Sequence, residues 1–262
     1  MNMTALRTLF AKEIRRFGKV WMQTLFSPLT TTALYFLVFG VALGGRLGTM
    51  EFASADGTLA SLPYALFVVP GLMMLSMINN SFLNTSSSLF QSKINGTLVD
   101  LLTAPLGATE ILLSYVGAAV VRGLIVGALV YLVAGAFVGF HMAHPLWVAY
   151  FSLTVTTTFA AAGLLAAIWA EKFDQLSIFP NFVVQPLTFL GGVFYVVTDL
   201  PPLWETVSRF NPILYTVCGL RFGITGASEI SVGLSAALVG AACVVSVGVC
   251  WLVLRSGWRI RR

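Results

Sequence analysis

Apolar residues run along this chain in long stretches separated by short polar breaks. Five stretches reach the ~20 mostly apolar residues that a bilayer-crossing helix needs: 27–44, 63–86, 111–139, 146–170 and 232–254. A sixth, 176–197, is interrupted by Pro180 and Pro186, which a membrane helix tolerates when neighbours satisfy the freed backbone groups. The segment ahead of the first stretch has a different pattern. Across 4–22, Leu6, Leu9, Phe10, Ile14, Phe17 and Trp21 recur at helical spacing with basic residues between them. That pattern predicts an interfacial helix, apolar face in lipid and Lys/Arg toward headgroups, or the same helix packed on the rest of the protein. The apolar run that follows is longer than a cleaved signal's 7–15-residue core.

After the fifth stretch the pattern shortens. In "TDLPPLWETVSRFNPILYTVCGLRFGITGASE", Asp199 is placed to cap a helix whose first turn holds Pro201 and Pro202. That helix should stop at Asn211–Pro212, since a residue before proline is pushed out of the helical region. A second short apolar helix should follow, to about Ile224. Both pieces are too short to span and too apolar for water, which predicts a re-entrant hairpin over 199–225.

Composition agrees that the solvent is lipid. Hydrophobic residues are 58%, charged residues 10% and mean hydropathy +0.89, where a soluble domain carries about 25% charge. The expected fold is an all-α membrane protein, one domain over 1–262 with six spans. Of the 15 basic residues, 11 fall in the N-terminal segment, the C-terminal tail or the loops holding Lys93 and Lys172. By the positive-inside rule both termini are then cytoplasmic. The net charge of +5 reflects topology and anionic lipid rather than nucleic acid. Cys218, Cys243 and Cys250 have neither disulfide-framework nor zinc-site spacing.

The chemistry of enzymes is thin here. No phosphate-binding G-x-x-x-x-G-K-[ST] occurs, and His141 and His144 share a short loop without further metal ligands nearby in sequence. The acidic residues all fall in loops or at helix ends, which disfavours an ion-coupled carrier and leaves the energy source outside the chain. One charge does sit inside a span. Arg122 either lines a pathway, as intramembrane ionisable residues tend to, or snorkels to the interface.

The one sizeable inner loop, 88–110, is the other candidate. Asn95–Gly96 signals a turn, Thr97 to Asp100 fits a capping box, and Pro105 closes the unit. A short helix containing Leu98, Leu101 and Leu102 could insert into a groove of a cytoplasmic partner or merely turn the chain.

Taken together, the basic amphipathic start, "NGTLVDLLTAPLGATEILLSYVGAAVVRGLIVG", "PLTFLGGVFYVVTDLPPLW" and "FNPILYTVCGLR" resemble the permease subunits of bacterial type-2 ATP-binding-cassette exporters, over residues 5–258. The resemblance implies an inner-membrane homodimer, each permease docking a separate ATPase chain, two copies in all, which binds the ATP and Mg that this chain does not. It makes 91–103 the coupling helix, with Lys93, Asn95, Thr97, Leu98, Asp100 and Leu101 as coupling residues. The outer aromatic-rich positions Phe194, Tyr195, Trp204, Phe210, Asn211, Pro212 and Tyr215 become gate candidates or an interfacial aromatic belt. The implied cargo is amphipathic, lipid-linked or polysaccharide. The alternative is an ATP-independent six-span carrier or channel.

Overall fold

The computed structural model describes residues 2–38, 48–55 and 57–257, with the backbone alone at Gln23 and Asp100 to Leu102. Its elements in chain order are α1 (Met3–Lys19), α2 (Trp21–Tyr35), β1 (Thr49–Ala53), β2 (Leu59–Pro63), α3 (Tyr64–Ile94), α4 (Leu98–Thr103), α5 (Ala108–Val138) and α6 (Pro145–Trp169). There follow α7 (Phe173–Ile178), a π-helical stretch (Phe179–Val184), α8 (Gln185–Phe189), α9 (Pro202–Arg209), α10 (Pro212–Thr225) and α11 (Val232–Ser256).

Among the described residues, four helices are long and apolar enough to cross a membrane: α3, α5, α6 and α11. Their burial assigns their places. The apolar window of α3 is 78% buried and that of α11 only 11%, so α3 is the axis of the bundle and α11 lies at its edge. The approach of α3 to α6 is close because Gly163 presents no side chain: a Cβ there would lie 2.3 Å from the Phe82 carbonyl oxygen. Thr85 Oγ1 uses that proximity to donate to the Ala160 carbonyl at 2.8 Å. Small residues at such crossings and hydroxyl bonds across them are how helices associate where lipid supplies no hydrophobic drive.

The other two expected spans take different forms. The first becomes α2, an apolar helix followed through Thr24–Val38, and the rest of 27–44 lies outside the described residues. The fifth was expected over 176–197 but ends at Phe189. It changes from α to π geometry at Phe179–Val184, where Gln185 N–H bonds the Pro180 carbonyl. The wider turn takes up the mismatch around two prolines that cannot donate. Beyond Phe189 the chain turns at Gly191–Gly192, and Gly192 has φ +67°, a left-handed conformation that glycine adopts without steric cost.

Two further details depart from the sequence expectations, and a third decides between two of them. The chain includes a two-stranded antiparallel hairpin, β1 to β2, registered from Thr49 opposite Pro63 to Ala53 opposite Leu59. Its inward Phe52 packs edge-on to Phe67 of α3 with centroids 5.9 Å apart. Asp199 does not cap the following helix: it closes a 3-10 turn, and α9 starts from Pro201 with Pro202 in its first turn. Finally, α1 runs alongside α5 rather than only along a membrane surface. Asn2 N–H donates to Glu110 at 3.0 Å, Ser114 Oγ to the Leu6 carbonyl at 3.2 Å, and Phe10 sits 3.3 Å from a Cβ built on Gly117. The contacts advance together along both helices, so the packed alternative is the one adopted.

The tight crossing makes a prediction. Gly163→Ala should destabilise the protein by about 1–3 kcal/mol, the usual cost of overpacking, whereas Gly233→Ala, with open space around it, should not. Thermal unfolding in detergent compares the two. Equal melting temperatures would mean that the α3–α6 contact is looser than described.

Candidate functional site

At the end of the bundle where α3 finishes, the buried axis leads straight into the loop singled out from the sequence. Helix α3 stops at Ile94, Asn95 accepts the C-cap position, and Gly96 at φ +73° reverses the chain into α4. Lys93 does not reach outward. Its Nζ donates to the Ala170 carbonyl at 2.7 Å and to the Ile168 carbonyl at 3.4 Å, closing the C-terminal end of α6, where a cation also meets the helix dipole favourably. Thr97 Oγ1 donates to the Ser92 carbonyl at 3.3 Å. Leu98 packs, partly buried, against the apolar cluster that includes Leu89 and Ile168. The side chains of Asp100 and Leu101 lie outside the described residues. Beside the exposed Asn95 and Thr97, the apolar Ile94 and Val99 project from this end, 64% and 62% exposed, and neither had been singled out.

A polar cluster sits above this turn, around the middle of α3 and α5. Arg122 lies 14 residues after Ala108, about 21 Å along α5 at 1.5 Å per residue. It turns inward. Its Nη1 and Nη2 donate to Asn84 Oδ1 and Asn80 Oδ1, both at 3.2 Å, and its guanidinium lies 5.7 Å from the Phe17 ring centroid. Arg16 of α1 meets the same asparagine, donating from Nη2 to the Asn84 carbonyl at 2.8 Å and to its Oδ1 at 3.0 Å. Glu13 accepts from Arg16 Nε at 3.2 Å and from Ser88 Oγ at 2.5 Å. Two guanidinium groups are thus held on one amide oxygen with one carboxylate nearby. Placing an arginine at mid-membrane costs about 2.5–3.5 kcal/mol on insertion scales. Two hydrogen bonds to a charged group, each about 1.5–3 kcal/mol, offset that cost without snorkelling.

The cluster borders a cavity of about 580 Å³ between α1, α2, α3, α5 and α7, with Arg16, Thr24, Asn79, Asn80, Arg122 and Phe173 among its walls. Sequence reasoning found Arg122 but missed Glu13, Arg16, Asn80 and Asn84. A signal existed for the acid: Glu13 falls on the same helical stripe as Leu6, Leu9 and Phe17, and it is 1% exposed.

The opposite end holds the aromatic candidates, and the structure separates them into groups. Phe194 stacks on Tyr35 at 5.7 Å and lies 6.0 Å from Phe189. Tyr195 donates to the Phe189 carbonyl at 2.9 Å, and partial burial pushes its phenol above the usual tyrosine range. These residues line a second cavity, about 520 Å³. Trp204 and Phe210 lie elsewhere, on an exposed face of α9 with Leu203 and Val207. Asn211 and Tyr215 hold backbone: Asn211 Oδ1 accepts from Ile213 N–H at 3.0 Å, capping α10 with Pro212 in its first turn, and Tyr215 donates to the Arg209 carbonyl at 2.7 Å.

A buried ion pair at this end involves Arg221, within the second short helix expected from the sequence. Arg221 is fully buried. It donates to Glu229 Oε1 at 2.7 Å and to the Gly192 carbonyl at 2.6 Å, and lies 3.7 Å over the Phe67 ring. Glu229 Oε2 accepts from Val197 N–H at 3.0 Å. One ion pair thereby joins α10, the break after α8, the 226–231 loop and α3. Removing either partner, as in Arg221→Met or Glu229→Gln, should cost about 3–5 kcal/mol because the other charge is left buried alone. The Arg221→Met/Glu229→Gln double variant should lose clearly less than the sum of the single losses. Unfolding in detergent across the cycle gives the coupling, and simple additivity would contradict the pairing.

Comparison with known proteins extends these observations. The chain is 39% identical over 257 residues, 98% of its own length and 97% of the relative's, to the inner membrane transport permease YadH of Escherichia coli strain K12. It is 25% identical over 218 residues to nodulation protein J of Rhizobium leguminosarum bv. trifolii, covering 80% and 78% of the two chains. For nodulation protein J of Rhizobium meliloti strain 1021 the figures are 22% over 235 residues, 87% and 83%. The family described as ABC-2 type transporter matches residues 4–225. A bundle of long apolar helices around a polar axis, matched over most of its length, therefore belongs to the ABC-2 type transporter family.

Proposed function

We propose that this chain is the membrane permease subunit of an ATP-driven exporter in a bacterial inner membrane. In this reading six segments cross the bilayer, α2 and the broken α7–α8 segment completing the four long helices, and both termini face the cytoplasm. A separate ATP-hydrolysing subunit docks on α4 and the neighbouring start of α1. Two permease chains, each with its ATPase, form the working unit. Family membership and a relative whose name is an inner membrane transport permease support the assignment. Arg7 near the start of α1, Lys93 and Lys172 lie toward the α4 end, which supports that end as cytoplasmic.

The observation that carries the coupling step is mechanical. Helix α3 is the buried axis, and it runs without interruption to the turn that starts α4. Lys93 binds that end of α3 to the end of α6. A force on α4 therefore moves two central helices as one body rather than bending a loose loop. ATP closing its subunits would shift α4, and the difference in ATP affinity between the two arrangements sets how far the permease equilibrium moves. The substrate passes between the helices so displaced, entering from the cytoplasmic side.

Ile94 and Val99, apolar and exposed beside the turn, are the natural anchors for a groove on the ATPase. The test is co-purification from native membranes in mild detergent. Val99→Asp and Ile94→Asp should each remove most of the bound ATPase activity while the permease inserts normally, since neither side chain supports the core. If the unaltered chain retains no ATPase, the ATP-driven reading fails. If both variants retain it, docking lies elsewhere.

A further inference from the structure

The geometry points to a second copy of this chain pairing along the free edge of β2, so that two hairpins join into one antiparallel sheet; this rests on the two-chain unit proposed above and names a place where the chains meet. Within the hairpin, Tyr64 N–H donates to the Gly48 carbonyl and Ser54 N–H to the Thr58 carbonyl. The register sets Met50 opposite Leu62 and Phe52 opposite Ala60 between those two pairs. Alternate pairs of an antiparallel ladder exchange bonds, so these even-numbered positions spend their backbone groups inside the hairpin. The N–H groups of Leu59 and Ser61, and the carbonyls of Leu59, Ser61 and Pro63, therefore point the other way, along the outer edge of β2. No backbone group meets them among the described residues. Pro63, which has no N–H to give, stands where the hairpin needs none.

The two edges of the hairpin are not equivalent. β1 carries Glu51 at its centre, and pairing that edge about a twofold would set the carboxylate against its own copy, a destabilising cross-strand pair. Beyond β1 the chain is already tied down, since Ser54 Oγ and Ala55 N–H both donate to the Ser228 carbonyl, at 3.1 and 2.9 Å. β2 has no charge along it, and so lacks the lysine or inward charge by which edge strands refuse a partner. Its Leu59 is 84% exposed, an apolar side chain with nothing to cover it. The edge is also held ready, because the inner face of the hairpin packs on α3 through Phe52 and Phe67. An edge ordered in advance loses little entropy on pairing.

The membrane and the sequence of β2 select the partner. Two copies inserted in the same sense hold their hairpins at the same level, and the twofold that relates antiparallel strands brings an edge back to itself. Centred on Ser61, that axis lets each Ser61 N–H donate to the Ser61 carbonyl across it. Leu59 N–H of each copy then donates to the partner's Pro63, whose carbonyl is free to accept. The proline that would block a strand needing a donor there is thus used only as an acceptor. On the exposed face the Leu59 side chain lies over the partner's Pro63, which covers the apolar surface that each copy alone leaves bare.

Single cysteines in the full-length chain, oxidised mildly in its membrane, test the pairing. Ser61→Cys should give a disulfide-linked dimer, since its two Cα atoms would lie about 5.5 Å apart, within the bonding range of about 4.4–6.8 Å. Glu51→Cys, also exposed, should not link, because three strand spacings would hold its copies about 14 Å apart. The unaltered chain, with Cys218 and Cys250 buried and Cys243 half-buried, is the blank. Ser61→Pro removes the central donor without touching the hairpin's own ladder and should weaken the dimer about tenfold, read from the dependence of mass on dilution in detergent. Linking through Glu51→Cys instead, linking of Ser61→Cys to a different protein, or a Ser61→Pro dimer as tight as the unaltered one overturns the pairing. So does a dimer by mass in which Ser61→Cys does not link, and in that case the two-chain unit stands. A chain that is monomeric at every concentration overturns both. None of these measurements needs an ATPase, so they are independent of the docking test on α4.

Discussion

The structure depends on how a helix with a polar stripe is made tolerable in lipid. Along one side of α3 run Asn80, Ser81, Asn84, Thr85 and Ser88, all 8% exposed or less. Alone in hydrocarbon that stripe would be costly, since no water is present to receive its hydrogen bonds. Surrounded, it becomes the means of assembly. Thr85 reaches the backbone of α6, the asparagines bind arginines from α1 and α5, and Ser88 binds Glu13 of α1. Helices α1, α5 and α6 each contribute a partner that the α3 stripe lacks, and the arrangement around it is specific rather than merely apolar.

Two charged clusters divide the molecule. Around the middle of α3 and α5, two arginines and one glutamate leave an excess positive charge facing a cavity. At the hairpin end, Arg221 and Glu229 are matched one to one and almost completely enclosed. A matched, enclosed pair mainly specifies local packing, because its attraction is largely spent against desolvation. It joins the turn after α8 to α10, where the chain is too short to be held by long helical contacts. The two clusters thus differ both in burial and in balance.

The same distinction governs the two kinds of aromatic residue at the hairpin end. Phe194 and Tyr195 face a cavity and are fixed by contacts to Tyr35 and Phe189, while Trp204 and Phe210 stand outward on α9. A closure built at this end would use the first pair. The second pair, with Leu203 and Val207, forms an amphipathic surface of the sort that settles at a membrane interface. The likeness of these residues in the sequence conceals that they do different things.

Composition and hydrophobic run length by themselves determined the solvent, the long helices and the turn at Asn95–Gly96, because these follow from transfer free energy and local backbone preference, which act residue by residue. They also exposed Arg122 as exceptional, since a charge in an apolar run is visible without a fold. Its orientation was not visible. Snorkelling and inward pairing differ only in whether another helix brings an acceptor within about 3 Å, and Asn80 and Asn84 are some 40 positions away in the chain. Lys93 looked available for a partner until α6 placed its last carbonyls beside it. Arg221, in the second short helix, had no visible partner until the Gly192 turn and Glu229 enclosed it. The hairpin went unread because its strands are five residues each, too short for periodicity to stand out, and Phe52 acquires a reason to point inward only when Phe67 is there to receive it. Partnerships of charge and ring are decided by which helices meet, and that belongs to the tertiary structure alone.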